Sequence, residues 1–473
     1  MNAHAAATQE TRLTALLATQ RAAFLRDGPP SLAQRRADLK NLKTALLARR
    51  DAFAQAVDAD FGHRSRYETA VLDLVPLVHG INYLRRNLKT WMRPQRRRIA
   101  LHFQPGRARV VRQPLGVVGI VSPWNYPVSL ALMPLATAIA AGNRAMVKPS
   151  EFTPATNALL TALLREVFPE EQAAIVTGDA DVGAAFVALP FDHLIFTGST
   201  QVGRAVMRAA SENLVPVTLE LGGKSPVIIA PGFSLSQAAK SIAFGKLVNA
   251  GQTCIAPDYA LVPENEVGSF AAAYAEAVTK LYPDGASDAA YASIINAGHY
   301  ARLVGLVDDA RQKGARIIEI GGAPNAARAR TIAPTLVLNP TPEMAIMQNE
   351  IFGPVLPVVP YRETDDAIAY VNGRPRPLAL YLFGRRREVR AQILERTTSG
   401  NVTINDTLLH YAVEDLPFGG VGESGIGAYH GEEGFKALSH AKGVFQQARW
   451  NFSGLLRSPF GRITDLILAY LLR

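Results

Sequence analysis

A lone thiol in a tight polar segment is the first feature of this sequence that could do chemistry. Gly251-Gln252-Thr253-Cys254 holds the chain's one cysteine, just past a helical pattern that ends near Asn249-Ala250. A single cysteine is more often a small buried hydrophobe than a nucleophile. Here the Gly, Gln and Thr before it suit a thiolate held partly open and favoured by nearby N–H dipoles. Upstream, Leu219-Glu220-Leu221-Gly222-Gly223-Lys224-Ser225-Pro226 puts a carboxylate at the C-terminal end of a predicted strand, where open α/β sheets gather ligands. Glu220 is either a surface residue before a Gly-Gly turn or a base for the thiol or a hydrolytic water. Trp124-Asn125-Tyr126-Pro127 joins a strand to a helix. Asn125 is either a helix N-cap or an amide donor that, with the Cys254 N–H, forms an oxyanion hole.

A fourth segment, Phe196-Thr197-Gly198-Ser199-Thr200-Gln201-Val202-Gly203, runs from a strand through a Gly-Ser turn into a helix. Glycine lets the backbone approach a pyrophosphate, and a helix N-terminus offers free N–H groups. Gly-Ser-Thr is also ordinary N-cap chemistry, and Gly-x-Gly-x-x-Gly is not present, so this segment gains meaning only from the other three.

The elements that must position these residues follow from periodicity. Up to about residue 100 the pattern is helical: Leu13, Leu16, Leu17, Phe24 and Leu25, an interruption at Pro29-Pro30, then Leu32, Leu39, Leu42, Leu46, Phe53 and Val57, stopping near Phe61-Gly62. Between Arg107 and Ser122 two β-branched runs flank a Pro-Leu-Gly break. Strand and helix patterns then alternate: helix Val128 to Ala141, strand Arg144 to Val147, helix Ala155 to Val167, strand His193 to Phe196, helix Val202 to Asn213 and strand Pro216 to Glu220. A second alternating series follows Lys224. Such alternation predicts βαβ units and parallel sheets covered on both faces.

Composition narrows the class. The chain has 473 residues, 48% hydrophobic and 19% charged, which suits a multi-domain α/β enzyme and excludes a disordered protein. One cysteine rules out an internal disulfide and a Cys-rich zinc site and points to the cytoplasm; no metal site is expected. The charge of +10 is read as a solvated basic surface and not a nucleic-acid site, because Arg93-Pro94-Gln95-Arg96-Arg97-Arg98 lacks interleaved aromatics beyond Trp91. No apolar run is long enough to span a bilayer. The apolar tail from Ile463 to Arg473 is expected to dock on the enzyme or a dimer partner, with shallow membrane contact the less favoured alternative.

Taken in order, these segments resemble the aldehyde dehydrogenase superfamily from about Arg36 onward. Lys148-Pro149-Ser150-Glu151, Glu350-Ile351-Phe352-Gly353-Pro354 and Pro417-Phe418-Gly419-Gly420-Val421-Gly422-Glu423-Ser424-Gly425 add to the match. The segments Gly251 to Tyr259 and Gly425 to Gly431 look like the class 3 branch, and the tail Phe452-Ser453-Gly454-Leu455-Leu456-Arg457-Ser458-Pro459-Phe460-Gly461 looks like the bacterial coniferyl aldehyde dehydrogenases within it. The resemblance implies a nicotinamide-dependent oxidation of an aldehyde to an acid, with Cys254 as nucleophile, Glu220 as general base and Asn125 as oxyanion donor. It further implies that Lys148 and Glu151 bind the adenosine ribose, that Gly198, Ser199 and Gly203 lie under the pyrophosphate, and that Glu350 and Phe352 hold the nicotinamide ribose. NAD is the expected cofactor, with NADP tolerated; Lys224 matches its motif without a chemical role.

The implied fold is α/β: a doubly wound parallel-sheet cofactor domain (1–97 and 117–222), an α/β catalytic domain (223–408), a small antiparallel oligomerisation arm (98–116 and 409–445) and a tail (446–473). The arm implies a homodimer. Two other readings compete: an acylating, coenzyme A-dependent dehydrogenase, against which the water-activating Glu220 argues, and a non-enzymatic family member, against which the Cys, Glu and Asn set argues. Coniferaldehyde is the favoured substrate among aromatic and medium- to long-chain aldehydes.

Overall fold

The computed structural model describes residues 3–322 and 328–472. The N-terminal periodicity forms helices Ala3–Asp27, Leu32–Ala48 and Arg50–Phe61. The pattern from Leu32 to Val57, expected as one helix, is two. Arg49 leaves helical geometry between them, while Leu39, Leu42, Leu46, Phe53 and Val57 still reach one core. The stop falls at Gly62, whose φ of 78° is the left-handed conformation that glycine adopts at a helix end.

A six-stranded sheet has the spatial order Gly425–Ile426, Val217–Leu221, His193–Gly198, Val117–Val121, Arg144–Lys148, Ala173–Ile175. All neighbours are parallel except Gly425–Ile426, which runs antiparallel to Val217–Leu221. Its strands bury both faces by alternation. Val118, Ile120, Ala145, Val147 and Ile195 meet the wholly buried helix Ser129–Ala141 and the N-terminal helices. Val117, Met146, Leu194 and Phe196 point the other way, toward Phe186, Val206 and Ala210 from helices Ala180–Val187 and Thr200–Ser211.

The second alternating series builds a seven-stranded sheet of order Arg316–Glu319, Thr335–Leu338, Val355–Tyr361, Tyr259–Pro263, Pro226–Ile229, Ala379–Phe383, Asn401–Ile404. It is parallel apart from Arg316–Glu319. A third, antiparallel sheet joins Gln95–Arg97, Arg107–Pro114 and Ser439–Gln446.

Two of the expected boundaries differ from this arrangement. The small antiparallel sheet begins at Gln95, which pairs with Val110, so its first strand lies before residue 98. The stretch 409–445 is not all arm. Gly425 pairs with Glu220 in the six-stranded sheet, and Phe435 of helix Gly431–Ala437 is buried beneath it. A two-residue strand made from glycine and isoleucine has no side-chain alternation by which sequence could reveal it.

The tail ends in helix Arg462–Leu471, where Leu466 and Tyr470 are 72% and 73% exposed. Only Thr464 of this helix is buried, through a 2.9 Å hydrogen bond from its hydroxyl to the Leu455 carbonyl. The chain's own body is therefore not what covers the tail's apolar residues. Among the described residues, no helix is long and apolar enough to cross a membrane.

Candidate active site

Cys254 is held by a short stretch of unusual backbone. After helix Leu235–Leu247, Asn249, Ala250 and Gly251 take φ values of 52°, 51° and 76°. The left-handed region is costly for residues with a Cβ, so Asn249 and Ala250 in succession demand support from outside. Gly251 is also sterically required: a Cβ there would lie 2.3 Å from the Gly353 carbonyl oxygen. Gln252, expected only as a polar flank, is fully buried and makes the loop rigid. Its amide donates to the Asn249 and Ser293 carbonyls, each at 3.0 Å, and accepts from the Ile295 N–H at 2.9 Å.

Asn125 approaches the same loop. Its side-chain amide donates to the Gln252 carbonyl at 3.1 Å, which leaves a second N–H free to serve a ligand. Asn125 is not the cap of the following helix. That role falls to Asp73, whose carboxylate accepts from the Val128 and Ser129 N–H groups at 3.4 and 2.5 Å. With no capping duty to hold it at the helix end, the Asn125 side chain is free to face the cavity.

Glu220 stands at the end of strand Val217–Leu221 and is buried, not a surface residue. Neither of its carboxylate oxygens has a hydrogen-bond partner among the described residues. An unpaired buried carboxylate is unfavourable in its charged form, and burial pushes the Glu220 carboxyl well above the usual range. The Cys254 thiol is likewise pushed up to about 12, by burial first and then by the carboxyls of Glu350 and Glu220. Backbone N–H groups of Cys254 and Ile255 act in the opposite direction but do not prevail. The N–H dipoles expected to favour the thiolate are present, and burial opposes them.

Cys254, Glu220 and Asn125 line one cavity of about 560 Å³, together with Gly198, Ser199, Glu350 and Phe352. Phe352 is held with φ at 51° and its ring edge-on to Trp124 at 5.5 Å. Gly222 gives room to Glu350: a Cβ there would come within 2.2 Å of a Glu350 carboxylate oxygen and push that side chain aside. Arg302 fixes the backbone on either side, donating to the Glu350 and Ile351 carbonyls at 3.2 and 2.6 Å. Lys224 ties the same segment down. Its ammonium contacts Asp258 and donates to the Ile346 and Asn349 carbonyls at 2.8 and 2.9 Å, and Asp258 accepts from the Ile351 N–H at 2.8 Å.

Three of the expected cofactor residues lie outside the cavity wall. Lys148 is buried at the end of strand Arg144–Lys148 and pairs with Glu151 at 3.1 Å, on the neighbouring strand end. Gly203 faces the sheet: a Cβ would meet Leu221 Cδ2 at 2.6 Å, so this glycine lets helix Thr200–Ser211 close onto the strand. Ser199 is the cap of that helix, its hydroxyl accepting from the Val202 N–H at 3.3 Å. Both readings of the Gly-Ser turn are therefore compatible, since the cap also orients the helix N-terminus toward the cavity mouth.

These features fit a dinucleotide. A parallel sheet presents its strand ends to one cavity, a helix begins there, Gly222 keeps the wall open, and the buried Thr197 hydroxyl has no partner among the described residues. Sequence reasoning passed over His299 and Arg302 of helix Ala297–Gln312, which close the cavity beside Trp124. It also passed over Tyr411 as a lining residue; Phe418 and Tyr429 at least fell within segments already singled out.

A model of the aldehyde dehydrogenase family matches residues 2–444. The chain is 51% identical to a probable coniferyl aldehyde dehydrogenase of Pseudomonas aeruginosa, over 95% of this chain and 94% of that one. It is 47% identical to the coniferyl aldehyde dehydrogenase of Pseudomonas sp. strain HR199, over 98% and 96%. Among solved structures, the Mycobacterium tuberculosis aldehyde dehydrogenase complexed with NAD+ superposes with a TM-score of 0.84 at 31% identity, covering 94% of this chain and 91% of that one.

Proposed function

This chain belongs to the aldehyde dehydrogenase family, and from that premise we propose that it oxidises coniferaldehyde or a similar aromatic or medium- to long-chain aldehyde through a thiohemiacetal and a thioester on Cys254. The observation that carries this reading is the sharing of one cavity by the only thiol, the Asn125 amide and a buried carboxyl with no partner among the described residues. Cys254 releases its proton to water and its Sγ adds to the carbonyl carbon. The spare Asn125 N–H and the Cys254 N–H donate to the oxygen as it gains charge. A nicotinamide dinucleotide, when bound, supplies the acceptor for the hydride that leaves this adduct, so that a thioester stays on Cys254. Glu220 then takes a proton from water, the water oxygen attacks the thioester, and the acid departs as the thiol is restored.

Lys148 and Glu151 would hold the adenosine ribose, and Gly198, Ser199 and the helix they start would receive the pyrophosphate. Gly203 would allow that helix its close approach, and Glu350 and Phe352 would hold the nicotinamide ribose. NAD is the cofactor we propose, as in the Mycobacterium tuberculosis relative. Glu151 would repel an added 2′-phosphate, and Lys148, already paired with it, would offset this in part.

Leu130, Leu378, Tyr411, Phe418 and Tyr429 give the cavity an apolar, aromatic wall beside Cys254 and Glu220, which supports a large aldehyde. Each buried CH₂ is worth about 0.8 kcal/mol. We therefore expect kcat/KM for coniferaldehyde to exceed that for acetaldehyde by about tenfold or more. The test is the absorbance of reduced cofactor across both aldehydes, with NAD or NADP and with or without coenzyme A. Equal kcat/KM for the two aldehydes would remove the substrate assignment, a tenfold preference for NADP would displace Glu151 from the ribose, and dependence on coenzyme A would replace hydrolysis by acyl transfer.

The protein works as a homodimer in this reading. Strand Ser439–Gln446, like Gln95–Arg97 at the opposite side, is an edge of its sheet, so one row of its backbone groups has no partner strand among the described residues, and the exposed tail helix follows it in the chain. Light scattering on the purified protein is expected to give twice the 51.0 kDa chain mass, and truncation after Pro459 is expected to weaken that dimer. A monomer whose tail drives binding to anionic liposomes would assign the tail to a membrane surface instead. The cytoplasm is the compartment we propose, since the one cysteine is a free thiol.

A further inference from the structure

Arg64 is among the largest fully buried side chains of the described residues, and it sits behind the oxyanion site. The guanidinium donates to the backbone carbonyl of Asn125 at 2.9 Å and lies over the rings of Phe61 and Tyr126 at 5.1 and 4.8 Å. Its ion-pair partner is Glu68, four residues on, at 4.0 Å, and the buried Asp73 carboxylate also feels its charge. Glu68 in turn accepts from the backbone N–H of Asn249 at 3.0 Å. The Asn249 side chain bridges back, donating to the Asn125 and Gln252 carbonyls at 3.0 and 3.1 Å. Asn249 is the first of the three left-handed residues that lead to Cys254.

Arg64 and Glu68 therefore grip both halves of one arrangement: the backbone from which the Asn125 amide projects, and the strained turn that presents Cys254. A cation buried at this depth is unfavourable unless its surroundings compensate it. Neither Nε nor Nη2 of Arg64 has a hydrogen-bond partner among the described residues, so packing alone does not account for a guanidinium here. A neutral side chain would fill the volume without desolvating a charge.

We propose that Arg64, clamped by Glu68, is a positioning residue that fixes the direction of the Asn125 amide relative to Cys254. The inference rests on the oxyanion role given to Asn125 above. Arg64 touches neither substrate nor cofactor; it acts by holding the Asn125 carbonyl, so its effect should pass through Asn125.

The experiment is a double-mutant cycle on the full-length protein, with kcat and KM measured for Arg64→Met, Asn125→Ala and the pair, alongside thermal melting. Loss of one oxyanion donor lowers kcat by about 10²–10³-fold. Arg64→Met is expected to lower kcat by about 10²-fold with KM for the aldehyde nearly unchanged, yet by less than about threefold once Asn125 is already alanine. Arg64→Lys keeps the charge and packs into the same space, and is expected to recover part of kcat. If Arg64→Met does not fold, Glu68→Gln enters the same cycle, since it keeps an acceptor for the Asn249 N–H and removes the charge beside Arg64. Equal losses in both backgrounds would overturn the positioning role while leaving Asn125 in place. Unimpaired turnover in Asn125→Ala alone would instead overturn the oxyanion reading on which the inference stands.

Discussion

Cys254→Ala is expected to lower NAD-linked oxidation of coniferaldehyde by at least about 10⁴-fold and to remove covalent labelling by thiol reagents. The chain has no second cysteine, so no neighbouring thiol can substitute. Alanine also leaves the backbone N–H of residue 254, the Gln252 anchors and the Asn125 amide in place, so binding of the aldehyde should persist while its conversion stops. The wild-type pH profile follows from the thiol's environment. Burial and the nearby carboxyls push Cys254 up to about 12, so the reactive thiolate is scarce near neutrality and the first step is expected to quicken as pH rises. Residual turnover in Cys254→Ala within tenfold of the wild type would mean that the carbonyl is attacked by something other than this thiol.

Glu220→Gln is expected to reduce steady turnover by about 10²–10⁴-fold while permitting one round of cofactor reduction per site. Glutamine preserves the shape of the side chain but cannot take a proton from water. The sign of the pH effect is set by burial, which raises the Glu220 carboxyl well above its ordinary value. A base must be ionised to act, so hydrolysis is favoured above that raised value and declines as pH falls through it. In Glu220→Gln this dependence should vanish from the hydrolytic step and survive in the initial step, where Cys254 governs. Stopped-flow absorbance across pH separates the two. Removal of Glu220 also removes one of the groups that hold the thiol's proton, so an initial step that becomes slower in Glu220→Gln, and recovers at high pH, would mean that Glu220 also draws the proton from Cys254.

What could be read from sequence was whatever lay in a short continuous segment. The thiol and Asn125 each sit in a turn whose composition announces constrained backbone, Glu220 sits on a strand end that runs into such a turn, and the alternation of strands and helices was periodic enough to predict a mostly parallel covered sheet and a second alternating series. The helix cap supplied by Asp73 was hidden because its partner Ser129 is 56 residues away, and the grip of Arg64 on Asn125 because 61 residues separate them. Neither residue lies in a distinctive motif. Lys224 was seen without a role for the same reason: its acceptors, the carbonyls of Ile346 and Asn349, belong to a segment more than a hundred positions downstream.

The state of the thiol failed to show for a different cause. Local N–H dipoles are visible in a turn sequence, but burial is a property of everything that packs around it, and at Cys254 burial is the larger influence. The arm was misdrawn at 409–445 because Gly425–Ile426 crosses to the edge of the six-stranded sheet, which only the pairing of Gly425 with Glu220 reveals. That crossing matters chemically, since it backs the strand that carries the carboxylate.

The most direct test of the account is intact-mass analysis of Glu220→Gln, quenched within seconds of mixing with NAD and coniferaldehyde. The predicted result is a mass increase equal to the acyl group of the substrate, mapped to Cys254 and formed in step with one equivalent of reduced cofactor. Wild-type steady turnover in this variant, with no acyl adduct at any time, would contradict the assignment of thioester formation and hydrolysis to Cys254 and Glu220.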